Sequence, residues 1–217
     1  MAGLTVARPG RLVLVVGTGT GVGKTWVGAA LLTELRARGV RVAARKPVQS
    51  ADPDDGSQDA DVLAAASGEP VVDVCPPRHS FGVPMTPFMA AEVLGRRMPS
   101  LRELVGGLAW AEDTQVGLVE SVGGVRSPIT ADGGDSVTLG ELLRPDLTLL
   151  VADAGLGTLN LVRLSAGVLP RPAVVLLNRF EPGDDLHRRN RAWLAGQLDG
   201  PVVASIGELA EVVLGRP

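Results

Sequence analysis

A glycine-rich segment, Gly17–Thr25, lies between an apolar stretch that ends at Val16 and an amphipathic stretch that begins at Lys24. It reads Gly-Thr-Gly-Thr-Gly-Val-Gly-Lys-Thr, one residue longer than the usual phosphate-binding loop Gly-x4-Gly-Lys-Ser/Thr. In a strand–loop–helix unit of this kind, backbone N–H groups surround a phosphate at the start of the helix. The segment therefore predicts a phosphate-binding loop carried by a parallel α/β sheet.

The end of this loop carries the side chains that a nucleoside triphosphate with magnesium requires. The Lys24 ammonium group is expected to reach the β- and γ-phosphates, and the Thr25 hydroxyl is expected to bind Mg2+. The glycines permit positive φ angles, which let N–H groups approach an oxyanion closely. Nucleotide contacts are expected from Thr20, Gly21, Val22, Gly23, Lys24 and Thr25.

Beyond the loop, short apolar runs alternate with amphipathic stretches, which is the pattern of a mostly parallel sheet with helices on both faces. The predicted strands are Arg11–Val16, Val40–Ala44, Gln115–Glu120, Leu147–Ala152, Ala173–Leu177 and Val202–Ile206. The predicted helices include Lys24–Arg38, one from the capping box of Ser100 and Glu103 to about Glu112, and one from Asp184 or Asp185 through Leu198. A length of 217 residues without repeat or linker favours one P-loop NTPase domain of the α/β class, over residues 1–217.

Composition excludes several classes of protein. The single cysteine, Cys75, excludes an internal disulfide framework, has no expected reactive role and indicates a reducing cytoplasm. A net charge of -3 offers no basic surface for nucleic acid, and the three Phe and three Trp are too few for a base-stacking platform. Trp26, Trp110 and Trp193 are assigned to helix packing on the sheet. No apolar run is long enough to cross a membrane, and residues 1–10 do not read as a secretory signal.

Polar side chains follow the predicted strands at the sheet edge where ligands of such folds bind. Lys46 leaves the second strand and either stabilises a second anion or faces solvent. Glu120 ends the third strand as a metal-binding acid does, the alternative being an acid at the sheet rim. Asp59 and Asp61 begin a helix, and either is a candidate magnesium ligand or simply complements the helix dipole.

Two further segments are candidates on weaker patterns. Gly157-Thr158-Leu159-Asn160 begins a helix whose N–H groups are able to bind a carboxylate, although a plain helix start is the simpler interpretation. Asn178 ends the fifth strand, where its amide either meets a nucleobase or forms a turn. The following residues match the guanine-reading motif Asn-Lys-x-Asp only loosely, which disfavours a GTPase.

Together these residues resemble the dethiobiotin synthetase family over nearly the whole chain. The resemblance rests on Gly23-Lys24-Thr25, Lys46-Pro47-Val48 followed by Ser50, Asp59-Ala60 with Leu63, Glu120 followed by Gly123-Gly124, and Asn178. The Lys-Pro-Val segment in the second-strand position is the most specific of these motifs.

The resemblance implies a biotin-pathway ligase that uses ATP and CO2 to carboxylate 7,8-diaminononanoate and close the ureido ring, releasing ADP and phosphate. It implies a homodimer in which the neighbouring subunit completes the site. No side-chain nucleophile is required, since the amines of the substrate attack. The resemblance implies that Thr25, Asp59 and Glu120 bind Mg2+ and that Lys24, Lys46 and Ser50 take part in catalysis. It also implies that the nucleobase lies near Asn178 and Gly207. The substrate is expected to contact Lys46, Ser50, Gly123 and Gly157–Asn160.

The chain departs from the family pattern at three places. Gly19 replaces Asp, Ser121-Val122 replaces Gly-Ala, and Gly207 stands where a Pro often frames the base. The phosphate and metal residues are retained, whereas the base side is altered. Loose nucleobase selectivity is therefore expected.

Two other kinds of protein share the loop and the sheet. Cobyrinate-type amide-forming synthetases usually carry a glutaminase domain, for which 217 residues are too few. Partitioning ATPases carry a signature lysine at the start of the loop, where this chain has Gly19. Stimulation of ATP use by a diamine, rather than by DNA or membrane, separates a synthetase from a partitioning ATPase.

Overall fold

The computed structural model describes residues 8–52, 54 and 56–215. The prediction that residues 1–10 are not a secretory signal therefore falls largely outside the described residues, since residues 1–7 are not among them. The strands are β1 Arg11–Gly17, β2 Val42–Arg45, β3 Gln49–Ser50, β4 Ser80–Phe81, β5 Val116–Glu120, β6 Leu147–Asp153, β7 Val174–Asn178 and β8 Val202–Val203. The helices are α1 Lys24–Ala37, α2 Asp59–Ser67, α3 Val71–Val74, α4 Pro87–Val93, α5 Leu101–Gly106, α6 Ser136–Leu143, α7 Thr158–Ala166, α8 Asp185–Ala195 and α9 Ile206–Leu214, with a 3-10 turn at Pro77–His79. Within the described ranges, no helix combines the length and the apolar character that a bilayer span requires.

Six strands form one parallel sheet in the order β2-β5-β1-β6-β7-β8, which confirms the predicted α/β class. The central strand β1 pairs with β5 on one side and with β6 on the other, and β2 pairs with β5. Val15 of β1 lies opposite Glu120 of β5, and Arg45 of β2 lies opposite Val119. Lys46 and Glu120 therefore leave neighbouring strands at the same level, beside the loop that follows β1.

The sheet is buried on both faces, and β1 shows why the predicted strands are continuously apolar. Leu12, Leu14 and Val16 join the core beneath α4 to α8, while Val13 and Val15 join the core beneath α1, α2, α3 and α9. Successive side chains of a strand point to opposite faces, so both sets of β1 side chains from Leu12 to Val16 are buried and apolar.

The sixth strand of the prediction is too long. It ends at Val203 rather than at Ile206, because Ile206 already begins α9. Ser205 is the N-cap of this helix, and its side chain accepts a hydrogen bond from the backbone N–H of Glu208. A serine hydroxyl that bonds the backbone locally favours a helix start over an extended strand.

Two predicted helices also extend too far. The helix that begins at Leu101 ends at Gly106 instead of about Glu112, and α8 ends at Ala195 instead of Leu198. In both cases the next residue is a glycine, which is unfavourable inside a helix because of its backbone entropy. The predicted helix starts are confirmed at the capping box of Ser100 with Glu103 and at the N-cap Asp184.

Candidate nucleotide and magnesium site

The loop after β1 turns the chain from the sheet into α1. Gly21 and Gly23 have φ angles of 75° and 93°, in the left-handed region that glycine adopts without strain. A Cβ atom at Gly23 would lie 2.2 Å from Nδ2 of Asn178. Gly23 is therefore required both by its own backbone conformation and by the close approach of Asn178.

The Lys24 ammonium group lies across the inside of the loop. Its Nζ donates to the carbonyl oxygens of Gly123, at 2.8 Å, and Gly19, at 3.1 Å. Burial, and then repulsion by Lys46, lowers the pKa of Lys24. Neutral carbonyl oxygens leave the positive charge available, so this group is well placed to bind phosphate oxygens.

Four side chains from four different elements form one polar cluster next to the loop. Oγ1 of Thr25 lies 2.7 Å from Oδ1 of Asp59 and 2.9 Å from Oε1 of Glu120. Nζ of Lys46 lies 2.5 Å from Oε1 of Glu120 and 2.7 Å from Oδ2 of Asp59. It also donates to the carbonyl oxygen of Ser121 at 3.1 Å. The structure thus brings the predicted metal ligands and the predicted second lysine into direct contact.

The charges in this cluster compensate one another. Burial alone lowers the pKa of Lys46, but Glu120 and Asp59 reverse this effect and raise it, so the amine is protonated. Burial alone raises the pKa of Asp59, but Lys46 and then Thr25 lower it overall, so the carboxyl is ionised. The fully buried Glu120 has a raised pKa because of its burial, which the attraction of Lys46 only partly offsets.

The donor set of this cluster fits Mg2+. One hydroxyl and two carboxylates are the oxygen ligands that this ion prefers. Oε2 of Glu120 is buried and has no hydrogen-bond partner among the described residues, so a cation beside it would satisfy it. The described residues contain no group of three or more His, Cys, Asp or Glu able to hold a metal. The Thr25 hydroxyl lies 2.7 Å and 2.9 Å from the two carboxylates and is the third oxygen donor of the set.

The structure distinguishes the two acids that begin α2. Oδ2 of Asp61 accepts a hydrogen bond from the backbone N–H of Gln58 at 2.9 Å and completes a capping box. Asp59 instead faces Thr25 and Lys46. Asp59 therefore belongs to the polar cluster, and Asp61 stabilises the helix end.

An open cleft extends from the polar cluster towards β3 and α4. Ser50 lies at the end of β3, and its hydroxyl donates to the carbonyl oxygen of Met85 at 2.5 Å. This places the predicted serine in the same cleft as Lys46. The polar and backbone groups that line the cleft include those of Thr20, Lys46, Ser50, Thr86, Gly123 and Ser127.

A second pocket lies on the other side of Gly23. Asn178 lines it, but Nδ2 of this residue also donates to the carbonyl oxygen of Val22 at 3.0 Å, so the amide supports the phosphate loop. Gly207, which the resemblance places at the base, is not among the described residues that line this pocket. The residues that do line it include Gly23, Trp26, Asn178, Phe180, Ser205 and Ile206.

The tryptophan prediction is wrong at two of its three positions. Trp26 is 60% exposed and Trp193 is 41% exposed, whereas Trp110 packs against the core, with the Arg45 guanidinium 4.7 Å from its ring centre. Trp26 instead lines the second pocket together with Phe180, which was not expected. The available signal was the position of Trp26 directly after the phosphate-binding residues.

A second signal in the sequence also marks the site. The chain has 21 Lys and Arg residues, of which Lys24 and Lys46 are the two lysines. Both are buried at the phosphate loop. Lysine provides a compact charge for phosphate, whereas arginine provides a planar fork, so this distribution indicates that the site requires point charges.

The segment Gly157–Asn160 is confirmed as a helix start. Gly157, with a φ angle of 91°, is the N-cap of α7. None of its four residues is among the described residues that line the cleft at Lys24 and Lys46. The structure therefore brings Lys24, Thr25, Lys46, Ser50, Asp59, Glu120 and Gly123 together within one chain and leaves Gly157–Asn160 apart.

Comparison with known proteins adds independent information. Residues 11–213 match a family model described as an AAA domain. The ATP-dependent dethiobiotin synthetase BioD of Anaeromyxobacter dehalogenans is 37% identical over 181 residues, covering 81% of this chain and 79% of that protein. The protein of the same name from Haloferax mediterranei is 38% identical over 193 residues, covering 87% of this chain and 80% of that protein.

A solved structure independently supports the fold. Chloroplast FtsY from Physcomitrella patens superposes with a TM-score of 0.54 at 18% identity, covering 98% of this chain and 67% of that chain. This likeness concerns the fold alone, whereas the matches to the synthetases extend over most of both sequences. On the strength of those matches and of the AAA-domain match, the chain belongs to the dethiobiotin synthetase family of P-loop proteins.

Proposed function

We propose that this chain forms dethiobiotin from 7,8-diaminononanoate, CO2 and ATP with Mg2+, and that residues 1–217 act as a single synthetase domain. The observation that carries the proposal is the polar cluster around the buried Lys46, next to the buried Lys24 of the phosphate loop. Family membership supports the ATP-dependent ligase activity. The arrangement suits the joining of two anions, a carbamate and a triphosphate, whose repulsion two ammonium groups reduce.

The reaction proceeds in three steps. One substrate amine attacks CO2, forming an N–C bond and a carbamate and releasing a proton. A carbamate oxygen then attacks the γ-phosphorus, and the bond to the β,γ-bridging oxygen breaks to release ADP. The second amine attacks the carbonyl carbon of the resulting carbamic-phosphoric anhydride, which closes the ring and releases phosphate with a proton. Each nucleophile belongs to the substrate, so the chain has to orient these groups and stabilise their charge.

The residues of the cleft divide this task. Lys24 contacts the transferring phosphoryl group from the loop side, and Lys46 faces it from the substrate side. The Ser50 hydroxyl holds the carbamate or its amine by a hydrogen bond. Thr25, Asp59 and Glu120 would hold Mg2+, which when bound neutralises charge on the β- and γ-phosphates.

The activity has a direct test. Incubation of the protein with diaminononanoate, 13C-bicarbonate, ATP and MgCl2 should yield dethiobiotin with the label in the ureido carbon, detected by mass spectrometry, and one ADP per product. EDTA should abolish the product. ATP hydrolysis without labelled product, or hydrolysis stimulated by DNA or lipid vesicles instead of the diamine, would contradict the proposal and favour a partitioning ATPase.

We further propose that the enzyme works in the reducing cytoplasm. The single cysteine, Cys75, is buried, and burial raises the pKa of its thiol to about 12. Such a thiol remains protonated at neutral pH and is a poor nucleophile and a poor partner for disulfide exchange. The chain thus uses its only cysteine as a small apolar side chain.

The proposed enzyme is a homodimer with shared active sites. The helix start at Gly157–Asn160 does not line the cleft of its own chain, and it is flanked by the exposed apolar residues Leu156, Leu161 and Leu164. In a dimer, this helix start would bind the distant carboxylate of the substrate held by the partner. The Leu156 side chain, 93% exposed in the single chain, would then be covered.

Complementation between two inactive variants should reveal the shared site. A 1:1 mixture of Lys24→Ala and Asn160→Ala proteins should recover about a quarter of the wild-type activity, because half of the dimers are mixed and each has one intact site. Each variant alone, at the same total concentration, is the control. A monomer by light scattering at assay concentration, or a mixture no more active than its components, would contradict the prediction.

The nucleobase should be selected loosely. Asn178 donates to Val22, and the Arg179 guanidinium bonds Asp153 at 2.7 Å and the carbonyl oxygen of Gly21 at 2.9 Å. Both polar side chains are thus engaged within the protein, so a wrong base leaves few polar groups unpaired. Calorimetry with ATP, GTP and CTP should show a preference for ATP below about a hundredfold, or roughly 2.7 kcal/mol. A larger preference would contradict loose selection.

A further inference from the structure

We propose that Trp26 and Phe180 hold the nucleobase of the bound triphosphate, with the Trp26 indole stacked on the base. The inference rests on the proposed nucleotide function and assigns two side chains to its base-binding part. It predicts how the affinity for a nucleotide divides between the phosphates and the base.

Trp26 lies on α1 directly after the two predicted phosphate-binding and magnesium-binding residues, Lys24 and Thr25. Lys24 and Thr25 line the cleft that contains the polar cluster, whereas Trp26, the next residue, lines the second pocket. Consecutive helical residues point about 100° apart, which explains why the start of one helix serves two cavities. Gly23 lines both, so the cavities adjoin at the phosphate loop. A nucleotide with its phosphates on this loop therefore has this pocket immediately beside it.

Trp26 is a large apolar side chain that the fold leaves exposed. The side chain is 60% exposed, while its neighbour Val27 is fully buried and supplies the core contact of this turn. A single exposed aromatic residue is not unusual by itself. Here, however, the indole forms one wall of a concave pocket that Phe180 also lines. A planar, largely apolar ligand would cover both aromatic side chains, and a nucleobase has these properties.

Phe180 follows a constrained turn of the chain. Arg179 has a φ angle of 56°, which is uncommon for a residue other than glycine. Its side chain bonds Asp153 and the carbonyl oxygen of Gly21, which ties this turn to the phosphate loop. The turn lets both Asn178 and Phe180 line the pocket. This part of the pocket lining is therefore formed before a ligand binds.

The face of Phe180 is also supported from outside the pocket. Its ring centre lies 5.9 Å from that of His187, and the Arg191 guanidinium lies 5.9 Å from it. Both supporting residues belong to α8, which the N-cap Asp184 anchors. Pre-ordered aromatic walls reduce the entropy lost on binding, so they contribute affinity for any base with a π face.

The test compares a nucleotide with its phosphates alone. Affinities for ATP and for inorganic tripolyphosphate, each with Mg2+, are measured by calorimetry on wild-type, Trp26→Ala, Trp26→Phe and Phe180→Ala proteins. Trp193→Ala serves as the matched control, because it removes another exposed tryptophan that lies outside the pocket. The high exposure of Trp26 means that its replacement leaves the core intact, and thermal unfolding verifies this.

Trp26→Ala should weaken ATP binding by about 5-fold to 150-fold, the range for loss of one stacked base, and leave tripolyphosphate binding unchanged. Trp26→Phe should retain most of the ATP affinity while losing the nucleotide-induced change in tryptophan fluorescence. Phe180→Ala should also weaken the binding of ATP and leave the binding of tripolyphosphate unchanged. Trp193→Ala should bind both ligands as wild type does.

Unchanged ATP affinity in Trp26→Ala, or an equal loss for both ligands, would overturn the assignment. So would a wild-type protein that binds ATP no more tightly than tripolyphosphate, because the base would then contribute nothing. A wild-type protein that binds neither ligand would instead refute the proposed nucleotide function itself.

Discussion

The Lys24→Ala variant is expected to lose at least about a hundredfold in the rate of ATP-dependent product formation. The Lys24 ammonium group donates to two carbonyl oxygens at the phosphate loop, and we propose that the phosphoryl group is its anionic partner during the reaction. Loss of one preorganised charge typically costs about 10²–10³ in rate. The measurement is kcat with diaminononanoate, bicarbonate and ATP at saturation.

The stability of this variant should change little. The carbonyl oxygens of Gly19 and Gly123 lie at an open cleft, where water replaces the lost donor, so the free energy of unfolding should change by no more than about 1 kcal/mol. Removal of Lys24 also relieves its repulsion with Lys46. Urea unfolding of both proteins is the control. Wild-type turnover in a folded Lys24→Ala protein would refute the assignment of the phosphate loop.

The Lys46→Gln variant is expected to bind ATP almost normally and to lose about 10²–10³ in turnover. Lys46 reaches the site from β2, and β5 alone separates this strand from β1 in the sheet. A charge on the substrate side stabilises the transferring group during reaction more than it tightens the ground-state complex, so kcat falls rather than affinity. Calorimetry for ATP and steady-state kinetics measure the two quantities separately.

The same substitution should destabilise the fold, unlike Lys24→Ala. Glu120 is fully buried and Asp59 is ionised, and Lys46 bonds both, so its removal leaves carboxylates uncompensated at a cost of about 3–5 kcal/mol. The double variant Lys46→Gln with Glu120→Gln removes one negative charge with the positive one. It should recover part of the stability but none of the activity.

The stability that Lys46→Gln loses should depend on pH in a direction that the pKa shifts of Asp59 and Lys46 determine. The pKa of Asp59 in the folded protein lies below its ordinary value of 3.8, so its stabilisation is present above that pH and is lost as the pH falls through the folded pKa. The pKa of Lys46 in the folded protein lies above its ordinary value of 10.5, so its stabilisation is present below that pH and is lost as the pH rises through the folded pKa. The part of the stability gap between wild type and Lys46→Gln that comes from the Lys46–Asp59 pair should therefore be full between about pH 4 and 10 and shrink in both acid and base.

Two outcomes would contradict the role of Lys46. If Lys46→Gln weakens ATP binding about tenfold and leaves turnover at saturation unchanged, the lysine is a phosphate anchor and not a group that acts during transfer. If the double variant regains activity along with stability, the loss in the single variant is a folding defect.

Local patterns were sufficient to predict most of the phosphate machinery. A glycine-rich loop between an apolar run and a helix specifies its own backbone conformation, so Lys24 and Thr25 were assigned correctly to the start of α1. Strands buried on both faces show as unbroken apolar runs, and side-chain caps such as Ser100 with Glu103 mark helix starts. These features depend on hydrogen bonds and periodicities within about ten residues, which a sequence displays directly.

The tertiary structure decided which of these residues meet. Lys46 and Glu120 are 74 positions apart, and their contact follows from the pairing of β2 with β5, which no local pattern encodes. Asp59 and Asp61 look equivalent in sequence, but only Asp59 lies on the side of α2 that faces Thr25, whereas Asp61 caps the helix. The sequence pattern predicts that Trp26 is a core residue. The packing of α1 instead leaves its side chain exposed, where it lines a pocket beside the phosphate loop. Strand order and helix rotation arise from the burial of distant apolar faces against one another, so they become visible only when the whole chain is packed.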